Sequence, residues 1–138
     1  MTPNRTKFDS EMQVRPDDLD MNRHVHSSRY LDYVLAARYD QMARCYGMPM
    51  EEFIEHGFSW VMRGASILYK RPLGLGDWFV VRTWIHEIRE NGVAVAFEIF
   101  RKEGMKLAAS GSCDYVIVDG ASGRMTTLPG WIIERYSV

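Results

Sequence analysis

From Phe58 to Asp119 the chain is a succession of long runs rich in β-branched, aromatic and alternating apolar residues, and this pattern restricts the fold more than any other. Phe58 to Arg71 is closed by Pro72-Leu73-Gly74-Leu75-Gly76, and Asp77 to Ile88 by the hairpin signal Glu90-Asn91-Gly92. Val93 to Lys102 follows, Gly104 turns the chain into Leu107 to Asp119, and Gly120-Ala121-Ser122-Gly123 ends that run. Such runs bounded by Gly, Pro and Asn are strands, and connections this short join antiparallel neighbours. The stretch therefore predicts a meander of about four long strands.

Only one long helical pattern precedes it. Between Ser27 and Tyr46 the apolar residues Leu31, Val34, Leu35, Met42 and Cys45 recur near helical spacing. Ser27 and Ser28 are expected caps, and Gly47 with Pro49 ends the helix. A short second helix is expected at Met50 to Glu55, stopping at Gly57, and a first strand at Lys7 to Val14. No repeat or linker divides the chain. A single α+β domain over residues 1–138 follows, with one long helix segregated against an antiparallel sheet of about five strands. Everything after the short helix reads as strand.

The strand faces carry a further expectation. In Asp77 to Ile88, Phe79, Val81, Thr83 and Ile85 point one way, and Trp78, Val80 and Trp84 the other. One helix covers one face, so a sheet apolar on both sides calls for a second cover. A homodimer or homotetramer is expected.

Composition excludes several classes. The net charge of -1 offers no basic field for nucleic acid. The longest apolar runs, such as Tyr115-Val116-Ile117-Val118, are too short to span a bilayer. Residues 1–7 have no apolar segment behind them and do not read as a leader. Cys45 and Cys113 show no metal-like spacing and read as free thiols, so a cytoplasmic protein is expected.

Chemistry concentrates in Asp18-Leu19-Asp20-Met21-Asn22-Arg23-His24-Val25-His26, at the approach to the long helix. An extended segment would spread Asp20, Asn22 and His24 over ~13 Å at ~3.3 Å per residue, so the loop must curl for them to act together. Asp20 could then activate water or attack an acyl carbon, with Asn22 and His24 positioning the participants. Asp17 and Asp18 crowd a second and third carboxylate nearby. If the helix began at Val25 and His26, their N–H groups would be orphan donors able to hold an oxyanion. Asp and Asn before a helix are also ordinary turn and capping residues, and the pattern alone leaves both readings open. His24-x-His26 beside carboxylates is an incomplete metal set, so no metal is expected.

The string Asp20-Met21-Asn22-Arg23-His24-Val25-His26-Ser27-Ser28-Arg29-Tyr30-Leu31 resembles the signature of the hot-dog-fold acyl thioesterases, Asp-x-Asn-x-His-Val-Asn-Asn-x-x-Tyr. Its Asn22 and His24 are most similar to the plant-type acyl-acyl carrier protein thioesterases. The chain length is more similar to the 4-hydroxybenzoyl-CoA thioesterase group. Tyr69-Lys70-Arg71-Pro72, Gly76-Asp77, Gly123-Arg124 and Leu128-Pro129 extend the resemblance over nearly the whole chain. It implies a hot-dog domain, hydrolysis of acyl-CoA or acyl-acyl carrier protein without a bound cofactor, and active sites at a subunit interface. Asp20 would be the catalytic carboxylate, with Asn22 and His24 as its companions. The chain departs from the pattern at His26 and Ser27, where two Asn are usual, and at Leu35, where many relatives carry Glu.

Val25, His26, Trp60 and Arg63 are the expected substrate-binding residues, the last two because hot-dog proteins often line the acyl pocket there. For Trp60, packing in the core is the favoured role. Lys70, Arg71, Arg101 and Lys102 read either as contacts to coenzyme A phosphates or as solvated surface. The departures leave room for a non-catalytic thioester-binding protein, and the fold for an enoyl-thioester hydratase.

Overall fold

Among the described residues, five strands and three α-helices follow one another as β1 (Phe8–Gln13), α1 (Tyr30–Arg44), α2 (Met50–Glu55), β2 (Phe58–Tyr69), β3 (Trp78–Arg89), β4 (Gly92–Arg101), β5 (Lys106–Asp119) and α3 (Gly130–Tyr136). The structure is a computed structural model that describes residues 4–137. Residues 1–3, where the leader reading begins, and residue 138 lie outside the described residues. The strands form one antiparallel sheet in the order β1-β3-β4-β5-β2, which places β2 at an edge. With α1 against it, this is the expected α+β hot-dog architecture.

The β3 face expected inside is inside: Phe79, Val81, Thr83 and Ile85 are buried. A bulge between Ile85 and Glu87 resets the phase, so that Ile88 is buried too. Cations partly shield the opposite face, with Lys7 Nζ 4.4 Å above the Trp84 ring and Arg82 5.1 Å above Phe100. β5 depends on one glycine. A Cβ at Gly111 would stand 1.9 Å from the Ser66 carbonyl oxygen and 2.9 Å from the Phe97 ring, so only hydrogen fits between the neighbouring strands.

Three sequence expectations need correction. First, the buried stripe of α1 is Tyr30, Tyr33, Val34, Ala37, Arg38, Gln41 and Met42, at helical spacing. Leu35, expected inside, is 44% exposed. Two polar residues, Arg38 and Gln41, occupy the buried stripe instead, because Ser10 of β1 and Thr83 of β3 supply partners for them. Second, Ser27 and Ser28 do not cap the helix through their hydroxyls. They lie in a 3-10 turn, Ser27–Arg29, that leads into α1, and the His26 ring caps it by accepting from the Ser28 N–H. Third, Gly130–Tyr136 is a helix, where everything after Gly57 was read as strand. Its Ile132 and Tyr136, one turn apart, are buried with Met42, Tyr46 and Phe53. That cluster fills the end of the core beyond the first half of α1, which packs with Val25, Leu73, Phe97 and Ile99.

Candidate active site

The loop between β1 and α1 curls as required. An antiparallel bridge joins Leu19 to Val25, the Asp20 N–H donates to the His24 carbonyl at 2.8 Å, and the Arg23 N–H donates to the Asp20 carbonyl at 3.1 Å. The turn holds Arg23 at φ 62, a left-handed conformation uncommon for a side-chain-bearing residue. Asp20 Oδ1 closes it by accepting from the N–H groups of Asn22 at 2.8 Å and His24 at 3.2 Å. Among the described residues, Oδ2 takes no protein donor. One carboxylate oxygen of Asp20 thus builds the turn, as the capping and turn reading expects, and the other is free of protein donors.

Asp18, two residues before Asp20, holds the loop to the core. It is buried, its Oδ2 accepts from the Tyr33 hydroxyl at 2.7 Å and the Arg15 N–H at 3.2 Å, and its carbonyl accepts from the His26 N–H at 2.8 Å. Burial, reinforced by this hydrogen bond, pushes the Tyr33 phenol far above its ordinary value, so it stays a neutral donor. Asp17 turns outward to Arg15 at 3.1 Å. The carboxylates that crowd in sequence are thus separated in space.

Asp20, His24 and His26 border a cleft of about 340 Å³ together with Val25, Tyr30 and Tyr69. Tyr30 and Tyr69 form an edge-to-face pair with centroids 5.1 Å apart, and the Tyr69 hydroxyl donates to the Ser27 carbonyl at 2.8 Å. Burial raises the Tyr30 phenol, which presents an uncharged wall. The Asn22 side chain is not in this cleft. It lies in an adjoining hollow with Leu19, Met21 and His26, so its contribution within the cleft is the N–H that holds Asp20.

The expected oxyanion donors also change. The Val25 N–H donates to the Leu73 carbonyl and the His26 N–H to the Asp18 carbonyl, each at 2.8 Å, so neither is an orphan. The helical turn starts two residues later than supposed, and Ser27 on the cleft carries its first N–H. Ser28 N–H donates to His26 Nδ1 at 3.1 Å, so Nδ1 is an acceptor. Neutral His26 accordingly carries its proton on Nε2 and is a donor there.

The remaining expected residues fall elsewhere. Trp60 lies in a separate apolar cavity under α1, packed edge-to-face on Phe53 at 5.5 Å, and Arg63 lines a groove with Arg89 and Asp114. Neither borders the Asp20 cleft. Lys70 and Arg71 do border it, whereas Arg101 pairs with Asp77 at 3.8 Å and Lys102 with Glu11 at 2.6 Å. Among the described residues no cluster of three or more His, Cys, Asp or Glu forms a ligand set, and no helix is long and apolar enough to cross a membrane. Sequence reading missed the anchoring by Asp18 and Tyr33; a carboxylate followed at a distance by a buried helix Tyr is a weak signal for it.

Known proteins resemble this chain in sequence and in fold. The sequence profile of the thioesterase-like superfamily matches residues 14–136. The long-chain acyl-CoA thioesterase FadM of Escherichia coli (strain K12) is 23% identical over 127 residues, covering 91% of this chain and 94% of its own length. A 1,4-dihydroxy-2-naphthoyl-CoA thioesterase from Synechocystis superposes with a TM-score of 0.84 at 22% identity, covering 95% of this chain and 96% of that one. A DHNA-CoA thioesterase from Staphylococcus aureus gives 0.87 at 20% identity, covering 95% and 89%. These structural likenesses show a common fold.

Proposed function

The chain belongs to the thioesterase-like superfamily, and from that membership we propose that it hydrolyses acyl-coenzyme A thioesters with Asp20 as the catalytic carboxylate. One observation carries the reading: Asp20 is clamped by two backbone N–H groups at the border of a cleft that also holds aromatic and basic side chains. The free oxygen of Asp20 takes a proton from water as the hydroxide attacks the thioester carbon. The Ser27 N–H receives the developing oxyanion. Collapse of the intermediate expels the coenzyme A thiolate, which recovers the proton from Asp20, leaving a free acid and a thiol. Direct attack by Asp20 would instead form an anhydride, and single turnover in oxygen-18 water tells the two apart by label in the protein. His24 and His26 border the same cleft and position the thioester. The assay is thiol release from a panel of acyl-CoAs, with acyl-acyl carrier protein as the alternative carrier.

Lys70 and Arg71 suit the phosphates of coenzyme A. An exposed charge contact is worth up to about 1 kcal/mol. The double substitution Lys70→Ala with Arg71→Ala is therefore expected to raise KM roughly tenfold, with a smaller change in kcat. A KM unmoved at low salt would return both residues to plain surface.

The unpaired β2 edge supports self-association. It is a 12-residue strand with Val61, Leu68 and Tyr69 exposed, and Leu68 is 74% accessible. Free edges of this length are normally covered. Light scattering should give a homodimer or homotetramer of the 16.0 kDa chain; a 16.0 kDa particle at working concentration would refute it. The free thiols of Cys45 and Cys113 suit a cytoplasmic setting.

A further inference from the structure

A second cavity, of about 250 Å³, lies beneath the C-terminal half of α1 and is bordered by Met42, Val93 and Val95 together with Arg38, Trp60 and Tyr115. Its polar groups are the unusual part. Arg38 is only 7% exposed, yet its guanidinium has no carboxylate partner among the described residues. Nη1 donates to Thr83 Oγ1 at 3.2 Å, and Nη2 to the Met42 sulfur at 3.2 Å, a weak acceptor. From Thr83 a thread of hydrogen bonds runs through Gln41 and Ser10 to Asp40, whose carboxylate is held by Arg44 at 2.8 Å. The nearest negative charge on the thread is therefore already matched.

Two more donors at the cavity lack a strong acceptor. Trp60 Nε1 is buried without a hydrogen-bond partner, and the Tyr115 hydroxyl has only the Cys113 sulfur, a weak acceptor, beside it. Burial raises the Tyr115 phenol, which stays protonated and able to donate. A buried cation with the Tyr46 ring 5.4 Å away but no carboxylate, and two donors short of a strong acceptor, border a cavity in which no carboxylate takes part. Buried arginines held for structure alone are matched by carboxylates, because an uncompensated charge in the core is strongly unfavourable. Buried donors without acceptors are likewise rare in folded proteins.

We infer that this cavity receives the far end of the acyl group and that this end carries a carboxylate, bound by Arg38, Trp60 and Tyr115. The inference rests on the thioesterase reading for the reacting end. Arg38 follows Tyr30, on the Asp20 cleft, by eight residues of α1, which is ~12 Å along the helix axis. The substrate class is thus an acyl thioester of medium length with a distal carboxylate.

The test uses the intact protein and eight-carbon probes. By calorimetry, octanoate should bind at least about tenfold more tightly than 1-octanol, the gain expected of charge-assisted hydrogen bonds. Arg38→Met should reduce that preference to under about twofold, while melting at or above the wild-type temperature because a buried charge has been removed. Trp60→Phe, which keeps the ring and loses the N–H, should lower the preference about threefold and serves if Arg38→Met does not fold. In turnover, kcat/KM for the eight-carbon ω-carboxyacyl-CoA relative to octanoyl-CoA should fall about tenfold in Arg38→Met. Equal binding of octanoate and octanol by wild type, or a preference that survives Arg38→Met, overturns the inference. If neither thioester is turned over while the preference depends on Arg38, the thioesterase reading fails and the carboxylate site stands.

Discussion

Asp20→Asn is expected to lower kcat for acyl-CoA hydrolysis by about 10²–10⁴-fold, the range associated with loss of a positioned acid-base group, while the protein stays folded. The amide is nearly isosteric and its carbonyl oxygen still accepts from the N–H groups of Asn22 and His24, so the turn survives. What disappears is the second anionic oxygen, as base or as nucleophile. Stability should change by no more than about 0.5 kcal/mol, as at other solvent-accessible positions. The measurement is thiol release from short, medium, long-chain and aromatic acyl-CoAs by both proteins, with melting curves as the folding control. A folded variant that matches wild type would move the catalytic group out of this loop.

The second large effect concerns the anchor beneath the site. Asp18→Ala is expected to destabilise the fold by about 3 kcal/mol, because it leaves the buried Tyr33 hydroxyl and the Arg15 N–H without their acceptor. Asp18→Asn keeps a carbonyl oxygen for Tyr33 and should lose less than half as much. The urea midpoint should shift with an unchanged slope if the native fold is retained. Activity should fall as well, since Asp18 secures both the loop and, through its carbonyl, the His26 N–H. A midpoint within experimental error of wild type would show that the Tyr33 to Asp18 bond contributes nothing net.

The strands and the Asp20 loop were legible because their signals are local. The runs from Phe58 to Asp119 place strands within one or two residues of those observed, since the turn residues between them act at short range. The need for the Asp20 loop to curl followed from strand geometry alone, and that curl is held by the N–H groups of Asn22, Arg23 and His24, which donate to Asp20, and by the Asp20 N–H, which donates to the His24 carbonyl. Leu35 was misplaced because hydrophobicity does not report which face a helix turns to its sheet. α3 was missed because seven residues beginning Gly-Trp-Ile-Ile carry no helical period of their own; burial of Ile132 and Tyr136 makes the helix. The N–H groups of Val25 and His26, expected to be free, are paired because the helical turn starts two residues later, which changes which N–H groups are left over.

By itself, then, the sequence determined the succession of elements, the antiparallel α+β class and the loop that carries the carboxylate. Each of these depends on contacts between residues a few positions apart. Only the tertiary structure decided which of the carboxylates is buried and which keeps a free oxygen, and that Arg38 faces a cavity instead of solvent. Arg38 meets Thr83 across 45 positions and Gln41 meets Ser10 across 31. The state of a buried polar group is set by partners that the folded sheet brings to it, and no local pattern names them.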